Sequence, residues 1–373
     1  MVNRLRALPR AAAASVCAGL LLTACGSNDN AGPATATSPG VGSGAIDCGQ
    51  AKGQVLASGS SAQANAMSLW TNAFMAACPG ADVNYKASSS GEGVTAFTQG
   101  TVAFAGTDTP LQPAEVAASK QACPGGKGID LPMVGGPVAM GYNLPGVDKL
   151  VLDAPTAAEI FTGKITKWND PAIVRLNPGT DLPAQTIQSF HRSDDSGTTQ
   201  NLGLYLGKAA PAQWPYPPAK PWPAPGGQAA AGSSGVAAQV KQVAGAIGYF
   251  ELSYATSQGI PTVRLDTGAG TPVEASPASA SKAIAQAKPA GTGGDLALAL
   301  DYTTKAEGAY PLVLVTYEIV CDTGNAKSTL PSVKAFLAYT ASPGGQDILT
   351  KAAYAPIPEA VITKVRAAIA SLS

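Results

Sequence analysis

Gln54-Val55-Leu56-Ala57-Ser58-Gly59-Ser60-Ser61-Ala62-Gln63 starts the part of the chain that can build a core. Gln54 to Ser58 reads as a strand and Gly59-Ser60-Ser61 as the turn that ends it. Beyond the turn, Met67, Trp70, Phe74 and Ala77 fall at i, i+3, i+7 and i+10, which predicts a helix with one apolar face. Cys78-Pro79-Gly80 stops that helix. The pattern then repeats. Asp82 to Ala87 is a second strand, and Ser88-Ser89-Ser90-Gly91-Glu92-Gly93 leads into a helical Val94-Thr95-Ala96-Phe97. Val102 to Ala105 is a third strand, ending in Gly106-Thr107-Asp108. Strands that alternate with helices imply a mostly parallel sheet. In such sheets ligands bind beyond the C-terminal strand ends, where helix N-termini point. The turns at Ser61, Ser90 and Asp108 all fall there.

Further along, Val134 to Asn143 forms a long apolar strand that runs into Leu144-Pro145-Gly146. Short helical pieces surround Ile160-Phe161 and Ile173-Val174, and Thr186 to Phe190 is a strand. Trp214 to Gly235 is rich in Pro, Gly and Ala and has no period, so it is expected to be a surface loop. Ala246 to Phe250, Pro261 to Leu265 and Leu312 to Val320 are strand-like. The chain ends in helical patterns, Val333, Phe336 and Leu337, then Val361, Val365 and Ile369. No internal repeat is evident, but the alternation of strand and helix comes in two blocks.

The strand at Thr186 to Phe190 feeds His191-Arg192-Ser193-Asp194-Asp195-Ser196-Gly197-Thr198-Thr199. This segment places a guanidinium and the hydroxyls of Ser196, Thr198 and Thr199 around a glycine at the start of a helix. Backbone N–H groups, hydroxyls and a guanidinium together suit a tetrahedral oxyanion. Ser and Asp before an apolar run are also ordinary N-cap residues. The segment gains weight from the donors at Ser61 and Ser90.

Composition narrows the choice. The chain has 373 residues, 13 % of them charged, with 24 basic and 24 acidic residues. Zero net charge gives no bulk attraction to nucleic acid or to an anionic membrane. Arg4, Arg6 and Arg10 precede an apolar Ala11 to Leu22, and Leu22-Thr23-Ala24-Cys25 closes the run. That is a signal peptide over residues 1–24, too short to span a bilayer. A Cys after a small residue matches the bacterial lipoprotein box, with Cys25 as the lipidated N-terminus. From there on, 21 basic against 24 acidic residues leave a net charge of −3. A mildly acidic protein must hold an anion through a local site. Residues 25–47 form a flexible tether. With Cys17 and Cys25 accounted for, Cys48, Cys78, Cys123 and Cys321 remain, and an even number in an exported chain argues for two disulfides. Three connectivities are open. Cys48 and Cys78 each precede a strand of one parallel pair by a few residues, so Cys48–Cys78 is expected, which leaves Cys123–Cys321. The spacings match no zinc pattern, and neither metal nor cofactor is expected.

Five stretches, in order, resemble one family. They are Thr101-Val102-Ala103-Phe104-Ala105-Gly106-Thr107-Asp108, Phe161-Thr162-Gly163-Lys164-Ile165-Thr166-Lys167-Trp168-Asn169-Asp170-Pro171, Leu176-Asn177-Pro178-Gly179, Arg192-Ser193-Asp194-Asp195-Ser196-Gly197-Thr198, and Gly245-Ala246-Ile247-Gly248-Tyr249. The chain resembles the PstS family, the phosphate-binding proteins of the bacterial high-affinity phosphate ABC transporter, from about Val55 to the C-terminus. The resemblance implies an α/β, two-lobe, type II periplasmic-binding-protein fold. Each lobe would be a mixed, mainly parallel sheet with helices on both faces. Lobe 1 would take residues 48–141 and 260–373, and lobe 2 residues 142–259. It also implies phosphate in the cleft between the lobes. The ligands would be Ser61 (hydroxyl and N–H), Ala62 (N–H only), Ser90, Asp108, Arg192, Ser196, Gly197 (backbone) and Thr198, with Asp194 holding the arginine. Glu92 departs from the small residue common at its position and is expected to point outward. The implied partners are inorganic phosphate, the membrane subunits of an ABC permease with a cytoplasmic ATPase, and the membrane through a lipid anchor. The protein would be a monomer facing the extracytoplasmic side.

The chemistry of this set is coherent. A desolvated dianion needs a donor at nearly every lone pair. Serine and threonine hydroxyls and backbone N–H groups are neutral donors, and Arg192 is a charged fork whose geometry Asp194 can fix. Asp108 then serves as an acceptor. Phosphate near neutral pH keeps an O–H to donate, whereas sulfate would face an unmatched buried carboxylate. Other classes fit less well. His191 is the chain's single histidine and adjoins Ser193, Asp194 and Ser196, but no nucleophile elbow accompanies it. A metallophosphatase needs clustered ligands, and no Walker loop is present. A surface adhesin would leave the donors at the strand ends unexplained.

Overall fold

The computed structural model describes residues 45–373. The signal peptide, Cys25 and nearly all of the tether lie outside the described residues. The chain begins with β1 (Gly53–Ser60), a 3-10 turn (Ser61–Gln63), α1 (Ala64–Ala77), β2 (Ala81–Ser88), α2 (Ser90–Thr98), β3 (Phe104–Thr107) and α3 (Pro113–Ser119). Its middle carries β4 (Gly128–Tyr142), β5 (Val151–Asp153), α4 (Ala154–Phe161), α5 (Pro171–Leu176), β6 (Gln188–Arg192), α6 (Gly197–Ala209), β7 (Gln228–Ala230), α7 (Gly232–Gln242), β8 (Ala246–Glu251) and α8 (Leu252–Gln258). The last third adds β9 (Arg264–Asp266), α9 (Pro277–Ile284), β10 (Lys288–Pro289), β11 (Leu298–Ala299), β12 (Val313–Cys321), α10 (Leu330–Thr340), α11 (Pro343–Thr350) and α12 (Glu359–Ser371).

One sheet of eight strands organises these elements, in the order β2-β1-β3-β12-β4-β8-β6-β7. The β1–β2, β1–β3, β6–β8 and β6–β7 ladders are parallel. β12 and β4 run antiparallel to their neighbours. β4 changes partner along its length: Gly128 to Pro137 pair with β12, and Val138 to Tyr142 pair with β8. Both β4 and β12 are buried along their whole length, which is why they read as apolar runs and not as alternating ones. Outside this sheet, β9 pairs with β5. Residues 264–266 therefore pair with residues 151–153 across the expected lobe boundary at residue 260.

The apolar face of α1 is buried as its spacing predicts, through Met67, Trp70 and Phe74. The Trp70 indole N–H donates to the Gly345 carbonyl at 2.7 Å, so α1 is tied to α11. Gly59 lies at φ +144°, and a Cβ there would sit 2.1 Å from the Gly106 carbonyl oxygen. Only glycine lets the ends of β1 and β3 approach this closely. The third strand lies two residues later than Val102 predicts, because Thr101 still closes the end of α2 by donating its N–H to Ala96.

The disulfides pair Cys48 with Cys78 and Cys123 with Cys321, with Cα atoms 5.6 and 5.4 Å apart. The stretch Trp214 to Gly235 is not a plain surface loop. It contains β7 and the start of α7, and it buries Trp214 and Ser233. Its Pro and Gly content masks a strand of three residues and a helix that starts on Gly232 at φ +66°.

Candidate anion-binding site

The C-terminal ends of β1 and β3 and the N-terminus of α2 meet around Asp108, which is 2 % exposed. Its Oδ2 accepts from Ser60 Oγ at 2.7 Å and from Ser90 Oγ at 3.1 Å, and its Oδ1 accepts from Thr316 Oγ1 at 2.8 Å. Burial pushes the Asp108 carboxyl up. The hydroxyls of Ser60 and Thr316, the Arg192 charge and the Ser90 hydroxyl work the other way without fully offsetting it. Ser90 is the first residue of α2, where backbone N–H groups lack intrahelical acceptors. It can therefore donate its hydroxyl to Asp108 and still offer an N–H to an anion. Ser60 caps the 3-10 turn, accepting the Ala62 N–H at 3.0 Å. Among the residues expected here, Ala62 thus has its N–H engaged inside the turn.

From the other side comes Arg192, also 2 % exposed, at the end of β6. Its Nε donates to Asp194 Oδ1 at 2.8 Å, and its Nη2 donates to Asp194 Oδ2. Burial works against the arginine's charge, but these bonds and the Asp194 charge outweigh it and raise its pKa further. Burial likewise opposes the charged form of Asp194, and the Arg192 contacts still hold its carboxyl below the ordinary range. Ser196 is the N-cap of α6, accepting the Thr199 N–H at 3.2 Å. The cap reading is therefore correct, and the hydroxyl proton of Ser196 remains available. Gly197 and Thr198 open α6 and are buried. Thr198 Oγ1 donates to Glu251 Oε1 at 2.8 Å.

The two sides are in contact. Arg192 Nη1 donates to Ser233 Oγ at 3.1 Å, and the Ser233 N–H donates to Ser61 Oγ at 3.1 Å. Asn201 Nδ2 donates to the Asp108 carbonyl at 2.8 Å, and the Gly91 N–H donates to the Asp195 carbonyl at 2.9 Å. Lys220, whose carbonyl accepts the Ser196 N–H, reaches Glu115 on α3 at 2.6 Å. A Cβ on Gly197 would lie 2.4 Å from Ser90 Oγ and 2.7 Å from Asp108 Cβ. Glycine is needed there because the start of α6 runs against Asp108. Ser61, Ser90, Asp108, Arg192, Ser196, Gly197 and Thr198 thus come from three helix N-termini and two strand ends to one place. Glu92 is exposed, as expected.

Sequence reasoning missed Ser60, Thr316, Asn201, Ser233 and Glu251. Ser60 could have been found beside Ser61, as the residue that caps the turn. Thr316 is hidden among the β-branched residues of β12. Ser233 follows a stretch without periodicity, and Glu251 ends an apolar strand. Nothing local marks either of them.

His191 is not part of a hydrolase triad among the described residues. Its Nδ1 lies 2.9 Å from the Arg192 carbonyl, and its ring stacks on Trp222 at 4.8 Å with 6° between planes.

A family model described as the PBP superfamily domain matches residues 34–343. The phosphate-binding protein PstS 3 of Mycobacterium leprae is 42 % identical over 353 residues, covering 94 % of this chain and 95 % of that protein. The phosphate-binding protein PstS 2 of Mycobacterium tuberculosis is 40 % identical over 359 residues, covering 95 % of each. PstS of Xylella fastidiosa is 33 % identical over 315 residues, covering 82 % of each. Among solved structures, a high-affinity periplasmic phosphate-binding protein bound with phosphate aligns with a TM-score of 0.67 at 21 % identity, covering 84 % of this chain and 93 % of that one. A putative phosphate ABC transporter substrate-binding protein from Clostridium perfringens aligns with a TM-score of 0.60 at 19 % identity, covering 82 % of this chain and all of that one. These structural matches agree with the fold described above.

Proposed function

Because the chain belongs to the PstS phosphate-binding proteins, within the PBP superfamily, we propose that it binds inorganic phosphate between Asp108 and Arg192 and delivers it to an ABC permease for import. The observation that carries this reading is the charge arrangement. Arg192 is already paired with the half-buried Asp194, and Asp108 faces it as a fully buried carboxyl. An incoming anion cannot rely on net positive charge. It needs neutral donors on most of its oxygens and a proton of its own to give to Asp108. Hydrogen phosphate has that proton and sulfate does not. Neutral donors are at hand from the hydroxyls of Ser61 and Ser196 and from the N–H groups of Ser90, Gly197 and Thr198 at helix N-termini, whereas the expected Ala62 N–H is already given to Ser60 Oγ.

Capture proceeds by closure of two lobes, residues 48–141 with 260–373 against 142–259. β4, which changes partner at Pro137/Val138, belongs to both. A ligand that bridges Asp108 and Arg192 stabilises the closed form, so binding and domain motion are linked. The protein is exported and works on the extracytoplasmic side. Lipid on Cys25 anchors it to the membrane, and residues 25–47 tether a monomeric binding domain. The closed form docks on permease subunits driven by a cytoplasmic ATPase. It binds and releases phosphate without turnover.

Calorimetric titration of phosphate-stripped protein with phosphate, arsenate and sulfate tests the reading. Phosphate and arsenate, both protonated near neutral pH, should bind, and sulfate should not. Sulfate binding equal to phosphate would overturn it.

A further inference from the structure

Glu251 is a buried ionisable group that the binding scheme leaves unused. It ends β8 and is 1 % exposed. Its Oε1 accepts from Thr198 Oγ1 at 2.8 Å, while its Oε2 is buried without a partner among the described residues. The charged or titratable groups facing it are Asp108 beyond β3, Arg192 on β6, Tyr254 on α8 and Tyr354 after α11. Arg192 is the sole cation among them, and Asp194 already engages it.

We propose that Glu251 is a positioning residue of the phosphate site that takes up a proton when phosphate binds and turns the Thr198 hydroxyl toward the ligand. The inference rests on the phosphate reading above. Its argument is the balance of charge in a closed space. Asp108, Asp194 and Glu251 are three carboxyls around one guanidinium, and phosphate adds more negative charge. Two unpaired carboxylates beside a buried anion are very costly. A proton from solvent on Glu251 removes one of them and breaks no bond in the ligand. The direction of the hydrogen bond then reverses. Neutral Glu251 donates to Thr198 Oγ1, and the Thr198 proton is free for a phosphate oxygen. Thr198 cannot give that single proton to Glu251 and to phosphate at once. Burial, with the nearby Asp108 charge, already pushes the Glu251 carboxyl up to about 7. A bound anion moves it further in the same direction.

The test is calorimetric titration with phosphate in buffers of different ionisation enthalpy, on the full mature protein and on Glu251→Gln. Glutamine imitates the neutral acid and can donate to Thr198. At pH 8 the wild type should take up about one proton more per phosphate than the variant. At pH 5.5, where Glu251 is protonated before binding, the two counts should agree. Above pH 7 the wild-type affinity should fall more steeply than that of the variant, by up to about tenfold per pH unit. Equal proton counts with parallel affinity profiles would overturn the role of Glu251 and leave the phosphate reading standing. Failure of the wild type to bind phosphate would overturn both. Should the variant not fold, infrared difference spectra of the wild type decide. Adding phosphate at pH 8 should produce a new protonated-carboxyl band, and its absence overturns the proposal.

Discussion

Arg192 and Asp108 are equally buried and oppositely charged, yet the protein supports them in different ways. Arg192 has a counter-charge of its own, Asp194, two residues along the same chain. Asp108 has none and is held by hydroxyls from Ser60, Ser90 and Thr316, which come from three separate elements. One side of the site is therefore a neutral ion pair with unused donor capacity. The other is a carboxyl solvated by dipoles, with room to accept one proton. A pair that is neutral before the ligand arrives attracts anions weakly at long range and selects them by hydrogen bonding at contact. Selectivity should then reside with Asp108, and affinity with Arg192.

Breaking the ion pair should have the largest effect. Arg192→Ala removes the fork and leaves Asp194 without its partner, and phosphate affinity should drop by about a hundredfold or more, about 3 kcal/mol. Near-wild-type affinity in calorimetry would remove Arg192 from the site. Asp108→Asn acts on the other side. The amide can donate to sulfate, so the preference for phosphate over sulfate should narrow by about a hundredfold. An unchanged ratio in competition titration would place the selectivity elsewhere. Gly197→Ala forces the two sides apart, given the 2.4 Å approach to Ser90 Oγ. Phosphate affinity should weaken about tenfold, a cost of about 1.4 kcal/mol, and an alanine variant with unaltered Kd would mean that the two sides need not meet.

Glu318 sharpens the contrast through stability. It lies on β12 near Asp108 with both carboxyl oxygens buried and without a hydrogen-bond partner among the described residues, and burial pushes its pKa up to about 8. That is above the value of about 4.3 for an exposed glutamate, so the folded protein holds a proton that the unfolded chain releases. The resulting stability is present at low pH and is lost as pH rises toward 8. Glu318→Gln should therefore melt with the wild type near pH 4.5 and about 2 °C or more above it at pH 8. Parallel melting curves at both values would mean that Glu318 finds a partner. The smallest effect is expected at Ser233, which touches both Arg192 and Ser61. Ser233→Ala should cost about 1 kcal/mol of phosphate binding, roughly fivefold. Identical titrations for variant and wild type would reduce Ser233 to packing.

The same contrast explains what could be read from sequence. Arg192, Asp194, Ser196 and Gly197 lie within six consecutive residues, so their motif is visible without a structure. The β1-turn-α1 and β2-turn-α2 repeats are visible too, because each strand and its helix are adjacent in the chain. Asp108 stands out as the residue that ends a third strand. Its supports do not. Thr316 is 208 residues away and sits in a strand where a threonine looks like any β-branched filler. Ser233 becomes meaningful only when α7 is placed against the 3-10 turn at Ser61. Glu251 is hidden because an acid at a strand end is usually solvated, and only its burial beside Tyr254 of α8 and Tyr354 shows otherwise. The expected lobe boundary at residue 260 follows the chain's return to the first block. The β5–β9 pair crosses it: the strand at Pro261 to Leu265 is legible, but β5, three residues long, carries too weak a periodic signal to reveal itself as the partner.

β12 lies between β3 and β4, and this bears on the order in which the chain can fold. β3 ends at residue 107 and β4 at residue 142, yet the strand that joins them begins at residue 313. Until that strand arrives, the central sheet has a gap. Cys123 also has no partner until Cys321 is made, 198 residues later, and Asp108 lacks the hydroxyl of Thr316. Contacts of such long range form late and slowly. The central sheet, and with it the hydroxyl support of Asp108, therefore closes only after most of the chain has been made.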